Sequence, residues 1–538
     1  MNQKHKVPYD TVEVPEKNRR LKSTGSSTYV YHLSKSFRNE KGQPTNIQTC
    51  IGSIDKESGK LVPNDNYFGI YGGKPGIKIE IDSIQNFGNY YLVNEIAEEI
   101  GLARVVRNVF SGTGEEILLL AIYFVLTGLP MYRCDGWCRE TMTGKEVLTS
   151  PRISRMLKEI DNHKRMEFFR AWVNARQQHE YLAYDVTSIS SYSRGNDLVE
   201  YGYNRDGESL PQVNIGMYYG EESRLPIFYC TYKGSIVDKS HLEYMMQHNK
   251  ILGINDVSFV MDRGFYKEEN ITSLSHKHKY IIGISNSLNI AKEIIAKYGE
   301  EVMSSRYILG SKSIRGKAIL DDRYGYRSNI MLFYSKSKDL DEDEIFITKI
   351  NKREQELMEG KPLREKGEEY FIVTEDDTSR RSIKRNHDAI DEHLNNQGFF
   401  LMMTTDLRKT PEEILDIYRM KDIIEKSFDD LKNAIEMKRL RVHSEETMDG
   451  KMFVSFIALI IRSYLFNKLS DYLEKSKSSL AEVLDELRMI KVVKTSDGVL
   501  LCNPVTKRQR TILACFDRSE DDLKDAVSRF NPTSFFDL

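Results

Sequence analysis

Tyr181-Leu182-Ala183-Tyr184-Asp185-Val186-Thr187-Ser188-Ile189-Ser190 puts a carboxylate, Asp185, in the middle of a strand-like run. A charged oxygen is costly to bury there unless it is paired, solvated or bound to a cation, and aspartate is a poor strand former to begin with. Outward from this run, short apolar stretches at Val213–Tyr219, Ile227–Tyr232, Val257–Met261 and Tyr280–Ile284 predict further strands of one mixed sheet. His241–Lys250 and Lys267–Lys277 are long enough for helices covering it. Asp262 ends the run Val257–Met261 and is followed by Arg263-Gly264-Phe265-Tyr266. It therefore falls at a strand tip, where ligands collect in open sheets. Each aspartate also has an ordinary reading, as a turn former or the cap of the next helix.

A third acid comes from a helix with a well-marked start. Phe399–Thr404 returns to strand character, and Thr410 as N-cap, Pro411 in the first turn and Glu413 completing a capping box open a helix expected to run from Pro411 to about Met437. Tyr418, Lys421, Glu425 and Lys432 lie at offsets of three, seven and fourteen, inside an arc of roughly 60° at about 100° per residue. Ile417, Ile424, Phe428 and Leu431 make a neighbouring apolar arc that would seat the helix on the sheet. The ordinary reading is an amphipathic helix in which Lys421 and Glu425 form an i, i+4 pair worth roughly 0.2–0.5 kcal/mol. It gives no reason for an aromatic, two cations and one acid to line up over four turns.

Two aspartates and a glutamate suit hard divalent ions, which prefer oxygen ligands. A two-metal site can activate water or a 3′-hydroxyl and stabilise the departing 3′-oxygen at a phosphodiester. Lys421 and Lys432 would attract phosphate, and Tyr418 could hydrogen-bond a phosphate oxygen or stack on a base.

The 538 residues exceed one ordinary core, and a prior of about 150 residues per domain suggests roughly three or four modules. The pattern divides into a β-rich start (1–90), a helical stretch (91–180), the first part of an α/β core (181–287), a charge-rich segment with isolated strand-like pieces read as a β-rich insertion (288–398), the second part of the core (399–470) and a C-terminal segment (471–538). Hydrophobic residues at 40% and charged residues at 29% rule out wholesale disorder. A formal charge of -2 leaves no global electrostatic footprint for nucleic acid, so contacts with a polyanion must be local. Candidates are the N-terminal Lys4, Lys6, Lys17, Arg19, Arg20, Lys22, Lys35, Arg38 and Lys41, the cluster Lys438, Arg439, Arg441 and His443, and the cluster Arg380, Arg381, Lys384 and Arg385; each could equally be a solvated face. The apolar runs Ile117–Leu126 and Phe453–Ile461 fall short of the ~20 residues that cross a bilayer and read as buried helices, with no membrane role. The six cysteines are scattered and no signal peptide precedes them, so a reducing cytoplasm is expected. Cys134 and Cys138 have no second pair at zinc-finger spacing and read as core thiols.

Together these residues resemble the DDE transposases of bacterial insertion sequences, in the branch with a Tyr-x2-Arg-x3-Glu-x6-Lys signature (the insertion-sequence-four group). The signature reads Tyr418, Lys421, Glu425, Lys432 here, and Tyr184-Asp185-Val186-Thr187-Ser188 and Asp262-Arg263-Gly264-Phe265-Tyr266 are similar to the family's other two motifs. The resemblance implies an α/β fold with an RNase H-like mixed sheet flanked by helices and interrupted by a β-rich insertion. The spacing agrees: 163 residues (425 − 262) separate the last two acids against 77 (262 − 185) for the first two. It implies metal ligation by Asp185, Asp262 and Glu425, with two Mg²⁺ ions for which Mn²⁺ would substitute, and contact of Tyr418, Lys421 and Lys432 with the DNA end. The implied activity is binding of the element's terminal inverted repeats, hydrolysis of both ends and joining of the 3′-hydroxyls to target DNA, by a homodimer in the cytoplasm of a bacterium. The rival readings are an RNase H-like nuclease or resolvase without strand transfer, and a catalytically idle DNA-binding derivative.

Two departures stand out. The signature arginine is Lys421, which keeps the charge but loses the bidentate fork. Relatives that form a DNA hairpin use a tryptophan in the insertion, whereas Trp137 and Trp172 both precede Asp185; Tyr324, Tyr326, Phe333 and Tyr334 are the aromatic candidates for that place.

Overall fold

Tyr181–Ser190 forms an interior strand of an eight-stranded sheet, and all ten of its residues are buried. The computed structural model describes residues 9–25, 27–39, 42–72, 81–176, 181–193, 196–204, 206–236, 249, 252, 258–275, 278–310, 313–364, 368–375, 381–419, 421–435, 437–442, 444–496 and 498–530. The described residues of Met1–Gln85, Lys491–Asn503 and Lys524–Leu538 make one unit, and those of Asn86–Ile490 and Pro504–Leu523 a second.

In the first unit, β1 (Arg19–Thr24), β2 (Ser27–Arg38), β3 (Pro44–Ile54) and β4 (Leu61–Pro63) form an antiparallel sheet in that order. Val30, Ile51 and Leu61 make its small core. Arg19, Arg20 and Lys22 are exposed along the edge strand β1, whereas Lys4, Lys6 and Lys41 lie outside the described residues. β5 (Ile81–Asn86) joins a three-stranded sheet with Lys491–Thr495 and Leu500–Cys502.

The second unit is built on β6 (Tyr181–Ser190), β7 (Gln212–Gly220), β8 (Pro226–Lys233), β9 (Ser258–Met261), β10 (Lys279–Ile284), β11 (Ile314–Asp321), β12 (Ser328–Ser335), the separate hairpin β13 (Phe371–Glu375) and β14 (Arg381–Arg385), and β15 (Phe399–Thr404). The large sheet runs β11-β12-β15-β10-β9-β6-β7-β8. β9 is parallel to both β6 and β10, and the other pairs are antiparallel. This is the mixed α/β sheet that alternating apolar runs announced. The expected helix at His241–Lys250 falls almost wholly outside the described residues; Glu268–Ser275 is the helix expected at Lys267–Lys277.

The longest helix, Glu445–Ser476, packs against Gly114–Thr127 and Ser150–Glu159. Met452–Ile461 is buried without interruption, because a helix covered on all sides has no polar face to keep. Its apolar window is longer than the sequence suggested and is long and apolar enough to cross a bilayer, yet 72% of it is buried within the protein. Cys134 and Cys138 are buried with sulfurs 3.9 Å apart.

Two expectations need correction. The segment 288–398 is not a β-rich insertion. β11 and β12 belong to the large sheet, and the longest element is a 23-residue helix, Lys336–Met358, which takes in the charged runs that separate the strand-like pieces. Its narrow apolar stripe of Phe346, Ile350 and Leu357 packs on Phe371, Tyr370 and Ile390, so one thin face suffices to seat an otherwise charged helix. The helix expected at Pro411–Met437 is Pro411–Arg419 and Lys421–Asp429, with Met420 outside the described residues, followed by a π-helical turn at Asp430–Ala434. The Ile435 amide bonds to the Asp430 carbonyl, and those of Met437 and Lys438 reach back to Leu431 and Lys432. The wider turn changes the angular increment beyond Asp429, so Lys432 does not sit where a regular helix would place it.

Candidate active site

The parallel pairing of β6 with β9 sets the first two acids side by side. Tyr184 is level with Met261, so Asp185 and Asp262, each one residue further, are level across strands about 4.8 Å apart. Asp185 is 6% exposed. Asp262 leaves the sheet in extended conformation and caps the short turn Arg263–Phe265, its Oδ1 accepting from the Arg263 amide at 2.6 Å.

The third acid arrives on the helix Lys421–Asp429, which packs on β6 through a buried face that includes Ile424 and Phe428. Thr410 and Glu413 form the capping box upstream: the Glu413 amide donates to Thr410 Oγ1 at 3.3 Å, and the Thr410 amide to Glu413 Oε2 at 2.8 Å. Lys421 is the hub. Its ammonium lies 3.0 Å from Glu425 Oε1 and 3.4 Å from Asp262 Oδ2, while its side chain is only 9% exposed. Burial by itself would depress the Lys421 pKa, but the charges of Asp262 and Asp185 and the bond to Glu425 hold it above the ordinary value. Three carboxylates thus act on one buried ammonium, which excludes a neutral lysine near pH 7. Glu425 keeps 59% of its side chain exposed, the position of a group that can still accept a ligand from solvent.

Tyr418 donates to Asp262 Oδ1 at 3.5 Å. Burial and then the Asp262 charge push its phenol up to about 12, so it is a hydrogen-bond donor and no base. Lys432 stands apart: its Nζ donates to Asp206 Oδ1 at 2.7 Å. The structure therefore gathers Asp185, Asp262, Tyr418, Lys421 and Glu425, and leaves Lys432 in a neighbouring charge pair. Of the aromatic candidates, Phe333 is fully buried and stacked on Phe400, Tyr334 donates to Asp339, and Tyr324 pairs through its hydroxyl with Tyr266.

Among the described residues no three acidic, histidine or cysteine groups form a metal cluster. The acids present, two aspartates and a glutamate, are hard oxygen donors of the kind Mg²⁺ or Mn²⁺ prefers, and Lys421 Nζ lies within 3.4 Å of two of them, Asp262 and Glu425.

Gly283, next to the last residue of β10, was not singled out from the sequence. An ideal Cβ there would lie 2.6 Å from the Tyr418 hydroxyl and 3.1 Å from the Arg263 amide. A lone glycine inside an apolar strand run is the available signal, since it marks close approach of another group. Gly283→Ala is expected to destabilise by about 1–3 kcal/mol through overpacking, and adding Tyr418→Phe should return part of that loss by removing the clashing oxygen. Thermal or denaturant unfolding of the double-mutant cycle measures the coupling; strictly additive losses would show that Gly283 does not make room for Tyr418.

Asp206 and Glu208, which pair with Lys432 and Arg439 at 2.7 Å each, also escaped the sequence. They sit in a turn-rich loop where acids are commonplace.

Residues 176–461 match the family described as the transposase DDE domain. Among solved structures, a cryo-EM structure of a piggyBac transposase synaptic complex with hairpin DNA is similar at 11% identity, over 82% of this chain and 77% of that chain, with a TM-score of 0.31. No curated protein matches the chain. The family match spans more than half of the sequence and takes in Asp185, Asp262 and Glu425, and the chain belongs to the family of transposases with a DDE domain.

Proposed function

We propose that the protein is a cut-and-paste DNA transposase of the Tyr-Arg-Glu-Lys branch, which binds the inverted repeats of a bacterial insertion sequence, cleaves both ends and joins them to target DNA. The observation that carries this reading is the set of contacts around Lys421, which draws Asp262 and Glu425 within 3.4 and 3.0 Å and feels Asp185, inside a transposase DDE domain. The meander β6–β7–β8 with β9 and β10 added in parallel beside β6 supports an RNase H-like core.

Asp185, Asp262 and Glu425 would hold the divalent ions. When bound, two Mg²⁺ or Mn²⁺ ions supply an activated water or 3′-hydroxyl and stabilise charge on the departing 3′-oxygen. Asp185 is fixed by the sheet and Asp262 by its cap, so two ligands are preorganised and Glu425 adjusts from the helix. Lys421, 3.4 Å from Asp262 and 3.0 Å from Glu425, would place its ammonium to neutralise a phosphate of the DNA end beside these acids. Tyr418, a neutral donor, orients Asp262 or a phosphate oxygen. Lys432 reaches the DNA backbone once it parts from Asp206. The two-ended reaction requires a homodimer at the synapse, and work on bacterial DNA places the protein in the cytoplasm.

The test is incubation of the full chain with inverted-repeat end DNA and a target plasmid. With Mg²⁺, cleaved ends and end–target joints are expected, and with a chelator neither. Cleavage without joints would favour the nuclease or resolvase reading; a stable footprint without cleavage would favour an idle DNA-binding derivative.

A further inference from the structure

A cavity of about 370 Å³ opens beside the π-helical turn, lined by Gly128, Lys432, Asn433, Lys438, Arg439 and Arg441. Four of these six residues are cations, and none is acidic. The walls are built rather than incidental. Gly128 ends the helix Gly114–Thr127 in the left-handed region, at φ +58°, and a Cβ there would stand 2.7 Å from the Ala434 carbonyl oxygen. On the other side Arg439 bridges the end of β6, the Leu440 amide donates to the Ser190 carbonyl at 3.4 Å, and Arg441 is itself left-handed at φ 48°. Beneath this segment Lys451, wholly buried on the long helix, donates to the Leu440 carbonyl at 2.9 Å and the Arg439 carbonyl at 3.5 Å. A buried ammonium spent on two backbone carbonyls fixes the direction in which Arg439 and Arg441 leave the chain.

Two anions already engage these cations. Asp206 accepts from Lys432, and Glu208 accepts from Arg439, both at 2.7 Å. Glu208 is tethered in turn by the Ser190 hydroxyl at 2.8 Å, to which Asn204 also donates at 3.1 Å. Carboxylate–guanidinium and carboxylate–ammonium pairs are the contacts a phosphodiester would make with the same groups. The Lys432 and Arg439 side chains are only 9% and 22% exposed, whereas Asp206 and Glu208 keep 26% and 24%, so the sheltered cations need an anionic partner and the carboxylates are the partners a polyanion would replace. A cluster of cations needs some counter-charge when no polyanion is bound, and this loop supplies it.

We propose that the basic cavity is a docking site for a DNA backbone phosphate beyond the carboxylate centre, and that Asp206 and Glu208 are internal anions that occupy its cations until DNA displaces them. The proposal rests on DNA being the substrate, as inferred above, and adds a gate to its binding. The loop competes with DNA, so its acids lower affinity for every duplex, and binding that survives the competition favours long or specific sites that recover more phosphates.

The experiment measures binding of the full chain to a short linear duplex in chelator, across a salt series, so that cleavage plays no part. Asp206→Asn with Glu208→Gln is expected to bind about ten-fold more tightly at low salt by removing the competing charges. Arg439→Gln with Arg441→Gln is expected to bind more weakly, with the salt slope reduced by about 0.9 for each phosphate that is no longer neutralised. Unchanged or weaker binding by the acid-neutralised variant, or an unchanged salt slope in the arginine variant, overturns the proposal, as does a lower melting temperature in both without any change in affinity. Should the double acid variant not fold, Asp206→Asn alone carries the same expectation in smaller measure. Tighter binding by the acid variant together with full cleavage by Asp185→Asn would sink the proposed catalytic centre and leave the gate standing; unchanged affinity with cleavage abolished in Asp185→Asn would do the reverse.

Discussion

Asp185→Asn, Asp262→Asn and Glu425→Gln are each expected to lower Mg²⁺-dependent cleavage of end DNA by about 10³-fold or more, while affinity for the uncut end changes little. Each substitution keeps volume and removes the charge a hard cation needs, and losing one member of a group that acts as a unit costs nearly the whole catalytic effect. Glu425→Gln and Asp185→Asn should separate in stability. Glu425 is 59% exposed, so its replacement should stay within about 0.5 kcal/mol, as for other surface positions. Asp185 is buried within the field of Lys421. Removing its charge leaves a buried ammonium less compensated, so Asp185→Asn should be the more destabilising of the two. Cleavage kinetics on labelled ends, with melting curves on the same preparations, give both readouts. A variant that still cuts at the unaltered rate takes its residue out of the proposed site.

What the sequence disclosed is local, and what it hid is tertiary. The alternation of apolar runs located β6, β7, β8, β9, β10 and β15 to within a residue or two, because a strand's burial is written in its own side chains. Thr410, Pro411 and Glu413 marked a helix start that the structure contains. The helix Lys336–Met358 was missed since only Phe346, Ile350 and Leu357 speak for its seat against a background of charge. The π-helical turn at Asp430–Ala434 depends on packing that composition does not record. In the site, Lys421 and Glu425 could be paired by spacing alone, four residues apart on one helix. The partners that give the pair its chemistry, Asp262 and Asp185, come from strands far away in the chain. For the same reason nothing local pointed from Lys432 to Asp206, since the two are 226 residues apart.

The same distinction governs a large expected stability loss away from the carboxylates, at Gly450. By propensity alone, Gly450→Ala in the helix Glu445–Ser476 should stabilise by about 1 kcal/mol. A Cβ at that position, however, would overlap the Leu157 carbonyl oxygen and come within 2.8 Å of the Leu157 carbonyl carbon and Cα. These are backbone atoms near the end of the helix Ser150–Glu159, so no rotamer change relieves the overlap and the two helices must separate. Overpacking of this kind costs about 1–3 kcal/mol, and more where the backbone must move; the net expectation is a loss of about 2–4 kcal/mol. Lys451 is the next residue and supports the carbonyls of Leu440 and Arg439, so displacement of the long helix should also weaken DNA binding through the basic cavity. Gly136→Ala is the matched control: it lies in the helix Cys134–Glu140 with nothing within 4 Å of an added Cβ, and should be neutral or stabilising by up to about 1 kcal/mol. Denaturant unfolding of both variants decides between the two effects, and equal stability of Gly450→Ala and Gly136→Ala would mean that the close approach at Leu157 does not constrain the fold.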